Sequence, residues 1–496
     1  MKRIYHWIDG KLTPGAGDRR GPVYNPATGV QTGEVDFATV AEVDAAVASA
    51  REAFGFWREV PVSRRSEILF RYRDLVDRHR TDIARLLTAE HGKVLADAAG
   101  EVSRGLENIE FACGVGQLLK GEHTEQASSG VDVYSIRQPL GVVAGITPFN
   151  FPAMVPMWMY PNAIACGNTF VLKPSEKDPS APLFTMELLA EAGLPPGVVN
   201  LVQGDKVAVD RLLEHPEIAA VSFVGSTPVA RAIYEAGTRN GKRVQALGGA
   251  KNHMVVLPDA DVELAADAAV SAAYGSSGER CMAISAVVAV GGVAEPLVAA
   301  IDARLDKIHI GDGLEDPDAE MGPLITAEHR DRVAGYIDSG RAEGAAVVRD
   351  GRSDAANLDG WFLGPSLLDH VTPDMACYRD EIFGPVLSVV RVDGYDDAVR
   401  LINDNPWGNG AAIFTRDGGA ARRFQFEAGA GMVGINVPIP VPVSYYSFGG
   451  WKGSLFGDTH MYGPEGIHFY TRAKVVTSRW PDPATSSVDL GFPRNR

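Results

Sequence analysis

Val221-Ser222-Phe223-Val224-Gly225-Ser226-Thr227-Pro228 reads as a short β-strand, a glycine turn, a hydroxyl N-cap and a proline in the first helical turn. β-branched and aromatic residues favour the pleated strand, and a serine followed by proline starts a helix. A helix beginning there offers unpaired N–H groups and a positive dipole end to a phosphate. By itself the octet is an ordinary strand–turn–helix junction. Its surroundings repeat the pattern. Apolar, β-branched runs at 142–147, 169–173, 198–203, 220–224 and 254–257 alternate with helical patterns at 181–192, 207–215 and 228–237. Such alternation implies a parallel, doubly wound sheet, which binds ligands beyond the carboxyl ends of its strands.

Upstream, the first part of the chain reads as helical. Val43, Val47, Ala50, Phe54 and Trp57 make one apolar face, a second helix starts near Ser63, and a third runs through 101–113. Downstream, a second alternating series has strands at 283–290 and 386–392 and helices at 297–305 and 326–343. It reads as a second α/β domain. The tail, 475–496, reads as an exposed arm or an interface strand. From Gln138 to Leu172 there is no Asp, Glu, Lys or Arg, but there are five prolines. Interior prolines strip hydrogen bonds from a helix, and lipid does not tolerate the unpaired groups. The stretch therefore reads as a segment buried in a globular protein. The N-terminus turns acidic at Asp9 before any apolar run develops, so no signal peptide is expected.

The 496 residues are enough for two to four domains. A net charge of −16 argues against a nucleic-acid binder and against a polybasic membrane anchor. Four cysteines, Cys113, Cys166, Cys281 and Cys377, are too few for a disulfide scaffold and point to a reducing cytoplasm. No G-x-G-x-x-G follows a strand, and no metal site is assigned. Phe170-Val171-Leu172-Lys173-Pro174-Ser175-Glu176-Lys177 instead places a lysine and a glutamate just after a strand. A carboxylate there accepts both hydroxyls of an adenine ribose and repels a 2′-phosphate, which favours NAD over NADP. Gly275-Ser276-Ser277-Gly278-Glu279-Arg280-Cys281 is a small-residue approach to a thiol. The cation of Arg280 next to it is expected to favour the nucleophilic thiolate. Cys113 and Cys166 read as small buried hydrophobes, and Cys377, near Glu381, is left open.

These residues bring the chain to a known family. It resembles the aldehyde dehydrogenases over essentially its full length, through Pro148-Phe149-Asn150-Phe151-Pro152, Lys173-Pro174-Ser175-Glu176, Phe223-Val224-Gly225-Ser226, Gly278-Glu279-Arg280-Cys281, Glu381-Ile382-Phe383-Gly384-Pro385 and Asn403-Asp404-Asn405-Pro406-Trp407-Gly408. The resemblance implies a Rossmann-like NAD-binding domain (1–125 and 138–248), an α/β catalytic domain (249–440) and a small β oligomerisation domain (126–137 and 475–496), assembled as a homotetramer, a dimer of dimers. It implies that Cys281 attacks an aldehyde and that the Asn150 amide, with the Cys281 backbone N–H, stabilises the oxyanion. Thr147, Phe149, Lys173, Glu176, Lys177, Ser226 and Gly248 would line the NAD site. Glu381 would hold the nicotinamide ribose and Phe383 would pack on the nicotinamide.

One position departs from the family pattern. Hydrolytic members carry a Glu in a Glu-Leu-Gly-Gly-Lys stretch that activates water. Here Val244-Gln245-Ala246-Leu247-Gly248-Gly249-Ala250-Lys251 places Leu247, or by a neighbouring alignment Ala246, at that position. Neither accepts a proton. Coenzyme A, a stronger nucleophile than water, needs less help. The departure, with Lys251-Asn252-His253 and Asn436-Val437-Pro438-Ile439-Pro440-Val441-Pro442, resembles the CoA-acylating branch that acts on methylmalonate and malonate semialdehyde. That branch implies loss of the β-carboxylate as CO2, giving propionyl-CoA or acetyl-CoA with NADH. Its substrates carry a carboxylate, for which Arg104 and Arg280 are the candidate clamps. Two other readings compete: a hydrolytic dehydrogenase that finds its base elsewhere, for instance at Glu381, and a non-enzymatic binding protein on the same scaffold.

Overall fold

The two strand–helix series form two separate sheets in the computed structural model, which describes residues 2–485 and 488. The first sheet runs in the order Leu455–Phe456, Arg243–Leu247, Ile218–Val224, Val142–Ile146, Thr169–Lys173, Val199–Leu201, His6–Ile8 and Lys11–Thr13. Its five central strands are parallel and its edges antiparallel. Register puts Ile146 beside both Lys173 and Phe223, and Val224 beside Leu247, so these strands end almost level. Alternate residues enter different apolar clusters. Val142, Ala144, Ile146 and Val171 go to one, and Val143, Phe170 and Leu172 to the other. Both faces are therefore covered, which is why the strands read as continuous apolar runs. The charge-free stretch supplies the helix Met154–Ala165, whose every residue is buried.

The N-terminal part differs from its helical reading. Five short strands, Lys2–Ile4, His6–Ile8, Lys11–Thr13, Arg20–Asn25 and Val30–Asp36, precede the first helix, Val40–Trp57. The first three strands have three residues each, too short to show a period-two pattern, while Arg20–Asn25 and Val30–Asp36 carry Gly21, Pro22 and Gly33, residues that strands disfavour.

The second sheet runs Ala346–Arg349, Ser366–Asp369, Val386–Val392, Ile284–Val290, Asn252–Val256, Gly410–Phe414 and Met432–Ile435. All but the first of these strands are parallel. The short segment 248–251 carries the chain from strand Arg243–Leu247 of the first sheet into strand Asn252–Val256 of the second. The carboxyl ends of one sheet thus meet the amino ends of the other.

A third sheet stands apart. Thr471–Arg479 pairs antiparallel along its whole length with Val131–Pro139, which is flanked by His123–Ser128. The pairing begins at 123 and 471, ahead of the sequence boundaries at 126 and 475, because polar residues such as His123, Thr124 and Arg472 belong to its exposed strands. Tyr134, Ile136 and Val475 leave apolar surface open on it. Residues 486, 487 and 489–496 of the tail lie outside the described residues. No helix among the described residues is long and apolar enough to cross a membrane.

Candidate active site

Helix Val262–Tyr274 ends just before the loop that presents the thiol. Ser276, Ser277 and Gly278 take three consecutive positive φ angles of 52°, 52° and 73°. Ser277 Oγ donates to the Gly322 carbonyl at 2.6 Å, which helps hold this costly conformation. A Cβ on residue 278 would stand 2.4 Å from the Gly384 carbonyl oxygen, so only glycine fits. The loop delivers Cys281, half-buried, to the start of strand Ile284–Val290. The Cys281 carbonyl accepts from Asn252 Nδ2 at 3.0 Å and from Asn409 Nδ2 at 3.2 Å. Cys281 shares a cleft with Arg280, Asn252, Ala250, Glu381 and Phe383.

The thiolate expected from Arg280 is not what the geometry favours. The Arg280 guanidinium pairs with Asp97 at 2.6 Å and lies over Gly275. Burial, with the Glu381 carboxylate, pushes the Cys281 thiol up to about 12, and the pull of Arg280 is smaller than either. Adjacency in sequence does not aim a side chain. Cys113 and Cys166 are buried, as read, and each thiol is pushed up to about 12, chiefly by burial. Cys377 is buried as well, and its carbonyl accepts from Lys251 Nζ at 2.7 Å, a structural role.

Asn150 follows strand Val142–Ile146, and its Nδ2 donates to the Glu279 carbonyl at 2.9 Å, next to the nucleophile loop. A network absent from the sequence reading holds it there. Lys93 Nζ donates to the Asn150 carbonyl at 2.6 Å and to Glu101 Oε2 at 2.6 Å. Glu101 Oε1 in turn accepts the N–H groups of Ala153 at 2.8 Å and Met154 at 3.1 Å, which caps helix Met154–Ala165. A signal for it existed. Glu101 falls three residues after Ala98 on the buried face of helix Leu95–Cys113, where a carboxylate requires a partner.

Glu279, His91 and His329 were also missed. The Glu279 carboxyl is fully buried, and that burial raises it to about 8. Its Oε1 accepts from Ile325 N at 3.2 Å and lies 3.4 Å from His329 Nε2, while Oε2 lies 3.7 Å from His91 Nε2. His329 Nε2 donates to the Phe383 carbonyl at 2.7 Å and Nδ1 accepts from Arg332 at 2.9 Å. Burial holds that imidazole down at about 4, so it is neutral. Phe149 stacks on His91 with centroids 5.9 Å apart, meets Phe383 edge-on at 5.9 Å, and lies 5.0 Å beneath Lys177 Nζ.

The level strand ends carry the remaining candidates. Lys173 Nζ, buried, pairs with Glu176 Oε2 at 3.0 Å. Burial raises the Glu176 carboxyl, but Lys173, a backbone hydrogen bond and Lys177 together outweigh it and hold the carboxyl below its ordinary value. Thr147 Oγ1 is buried with no hydrogen-bond partner in the protein, a free donor and acceptor aimed at this edge. Ser226 is the N-cap residue of helix Thr227–Arg239 but makes no side-chain cap bond, contrary to the hydroxyl cap read from the sequence. Thr227 Oγ1 instead bridges Gly249 N at 2.9 Å and Trp407 Nε1 at 3.0 Å. A Cβ at Gly248 would meet Thr227 Oγ1 at 3.1 Å and the Gly453 carbonyl at 3.0 Å. Glu381 Oε1 accepts from Ala250 N at 2.8 Å, and burial raises its carboxyl to about 7.

The strand's alternation separates the two positions read for the base. Ala246 enters the cluster on the far face, whereas Leu247 joins the cluster against which Cys281 packs. Leu247 is apolar and buried. Arg104 is half-exposed, paired with Glu107 at 2.8 Å, and its Nη2 donates to the Pro442 carbonyl at 3.0 Å.

Comparison with known proteins agrees with this geometry. The model of the aldehyde dehydrogenase family matches residues 13–476. A malonate-semialdehyde dehydrogenase of Pseudomonas aeruginosa is 55% identical over 99% of this chain and 100% of its own. The crystal structure of methylmalonate-semialdehyde dehydrogenase from Oceanimonas doudoroffii superposes with a TM-score of 0.96 at 52% identity, covering 98% of this chain and 99% of the other. A Sinorhizobium meliloti relative in complex with NAD also gives a TM-score of 0.96, at 50% identity over 98% of this chain and 99% of its own.

Proposed function

The chain belongs to the aldehyde dehydrogenase family, and from that premise we propose that it oxidises malonate or methylmalonate semialdehyde with NAD through a thioester on Cys281 and passes the acyl group to coenzyme A. The observation that carries the reading is a cysteine whose loop is held at the Glu279 carbonyl by the Asn150 amide, with the apolar Leu247 at the position read for the hydrolytic base. The names of the relatives support the substrate class.

The residues at the carboxyl edge of the first sheet fit NAD. The unpartnered Thr147 hydroxyl, buried Lys173 and ionised Glu176 would hold the adenosine half, with Ser226 and Gly248 at the helix start. Lys177, Phe149, Glu381 and Phe383 would line the nicotinamide half. When bound, NAD supplies a hydride acceptor and a positively charged ring.

The Cys281 sulfur adds to the aldehyde carbon as its proton passes to solvent. The oxygen that becomes negative accepts from the Asn150 amide and from the Cys281 backbone N–H, a contact worth roughly 3 kcal/mol per donor. Loss of hydride from that carbon leaves the thioester on sulfur. Leu247 gives water no base, so the thioester waits for a thiol. The sulfur of coenzyme A attacks the acyl carbon and the Cys281 thiolate departs. The β-carboxylate leaves as CO2, the bonding pair passing to the carbon next to the thioester, which takes a proton from solvent, so the products are acetyl-CoA or propionyl-CoA. Arg104 and Arg280 are the cations assigned to that carboxylate while it is bound.

We assign residues 1–125 and 138–248 to NAD binding, 249–440 to catalysis, and the third sheet to assembly of a homotetramer in the cytoplasm, where the four free thiols stay reduced. Removing 471–496 should reduce the sedimentation coefficient to that of a smaller species. The activity is tested by following NADH absorbance with malonate semialdehyde. A single burst without coenzyme A, followed by steady turnover once it is added, is expected. Steady turnover indifferent to coenzyme A would overturn the acyl transfer.

A further inference from the structure

Two donors meet on one carbonyl oxygen beside the nucleophile. Arg104 Nη2 donates to Pro442 O at 3.0 Å, and the Tyr462 hydroxyl donates to the same oxygen at 3.1 Å. Tyr462 is built to aim that hydroxyl. It is buried, takes a left-handed φ of 44°, and its ring is fixed between Trp158 at 5.1 Å and Phe448 at 6.1 Å. Arg104 and Cys281 both act electrostatically on its phenol, so the three groups share one neighbourhood.

The carbonyl between them belongs to a strap. Residues 436–447 form neither helix nor strand, and Pro438, Pro440 and Pro442 remove three N–H donors from it. Two of its N–H groups bond within the strap, Val441 to Ile439 O at 2.9 Å and Tyr446 to Val443 O at 2.9 Å. Val443, Tyr445 and Tyr446 face solvent. A neutral carbonyl is a modest acceptor for a guanidinium and a phenol. A carboxylate brings a full charge and two oxygens to the same donors.

We propose that the Pro442 carbonyl stands in for the substrate carboxylate in the free enzyme, and that the Tyr462 hydroxyl is the second ligand of that carboxylate when it arrives. The substrate then displaces the strap, and Tyr462 helps to distinguish a carboxylated aldehyde from a plain one. The proposal rests on the reading that Arg104 meets the carboxylate, and the test separates the two.

Tyr462→Phe removes one oxygen and leaves the ring in place. With malonate semialdehyde, kcat/KM should fall ten- to a hundredfold, the range for losing a hydrogen bond to a charged group. With propanal it should stay within about twofold. An equal fall on both substrates, or none on either, overturns the proposal. Arg104→Leu is measured alongside. If it abolishes the preference for the carboxylate while Tyr462→Phe spares it, the strap proposal fails alone. If Tyr462→Phe abolishes the preference and Arg104→Leu spares it, the arginine reading fails and Tyr462 stands. Amide exchange on the unmodified enzyme gives a second test that does not depend on the variant folding. Exchange at 443–446 should rise with saturating malonate and not with propionamide, and unchanged exchange overturns the displacement.

Discussion

Replacing Lys93 by Met keeps the length of the side chain and removes its charge. Lys93 Nζ lies 2.6 Å from both Glu101 Oε2 and the Asn150 carbonyl, and the Lys93 and Glu101 side chains are 0% exposed. Breaking one member of such a pair costs about 3–5 kcal/mol, because the survivor is left charged and dry. Glu101 keeps two donors, the N–H groups of Ala153 and Met154, so the lower end applies. The hydrogen bond lost at Asn150 adds about 1 kcal/mol. We expect Lys93→Met to lower unfolding free energy by about 4 kcal/mol in a urea titration. It should also unpin the backbone that carries the proposed oxyanion donor, where a displacement of about 1 Å costs on the order of a hundredfold in rate. The pre-steady-state burst of NADH with propanal, in the absence of coenzyme A, isolates that step. Glu101→Gln is the control. It leaves the Lys93–Asn150 contact and an oxygen for the helix cap, so stability should fall while the burst rate changes only a few-fold. A wild-type burst rate in Lys93→Met would show that something else places Asn150. A stability loss under about 1 kcal/mol would show that the pair anchors nothing.

Glu381→Gln removes the anion that raises the Cys281 thiol. The thiol pKa should fall by about one unit, so alkylation by iodoacetamide at pH 8 should run about tenfold faster. The gain should shrink below pH 7, where Glu381 is itself protonated; slower alkylation would mean that Glu381 serves as the base. Leu247→Glu puts a carboxylate in the cluster against which Cys281 packs, and slow release of free acid without coenzyme A is expected, rising with pH because the apolar site raises that carboxyl. Product analysis showing no second turnover would clear Leu247 of withholding hydrolysis. Gly278→Ala drives a Cβ to 2.4 Å from the Gly384 carbonyl at a φ of 73°. It should lose about 3 kcal/mol of stability and most of the burst amplitude, and a stable, fully active variant would show that the loop relaxes freely.

The strands most legible in the sequence are those buried on both faces. Thr169–Lys173 and Val386–Val392 fall where their apolar runs place them, because no solvent-facing residue interrupts either run. Strand Arg243–Leu247 was visible only as a motif, since Arg243 and Gln245 break its apolar run. Gln245 is buried nonetheless, its amide donating to the Thr459 and His460 carbonyls at 3.1 and 2.6 Å. The same limit governs the site. Cys281, Asn150 and Glu381 are legible because each lies in a short motif. Lys93, Glu101 and Asn150 form one network across 57 residues of chain, and only folding brings them together. Arg280 fails as the thiolate's cation for the converse reason. It adjoins Cys281 in sequence, yet its partner, Asp97, is 183 residues away.

The head-to-tail meeting of the sheets gives the proposed choice of acyl acceptor its physical basis. All four residues of the crossing, 248–251, are tied down. Gly248 N donates to the Ser454 carbonyl at 3.0 Å and Gly249 N to Thr227 Oγ1 at 2.9 Å. Ala250 N donates to Glu381 at 2.8 Å, and Lys251 Nζ to the Cys377 and Asp380 carbonyls at 2.7 and 2.9 Å. Two ties reach toward the first sheet and three toward the second, and together they hold the crossing in register. The nearby carboxyls are engaged too. Glu381 holds the crossing, and Glu279 is bonded to Ile325 N inside a closed pocket of two neutral imidazoles and Phe149. A water at the thioester would meet an apolar side chain at 247. A thiol brings its own nucleophilicity and needs only space, which an uncharged wall supplies.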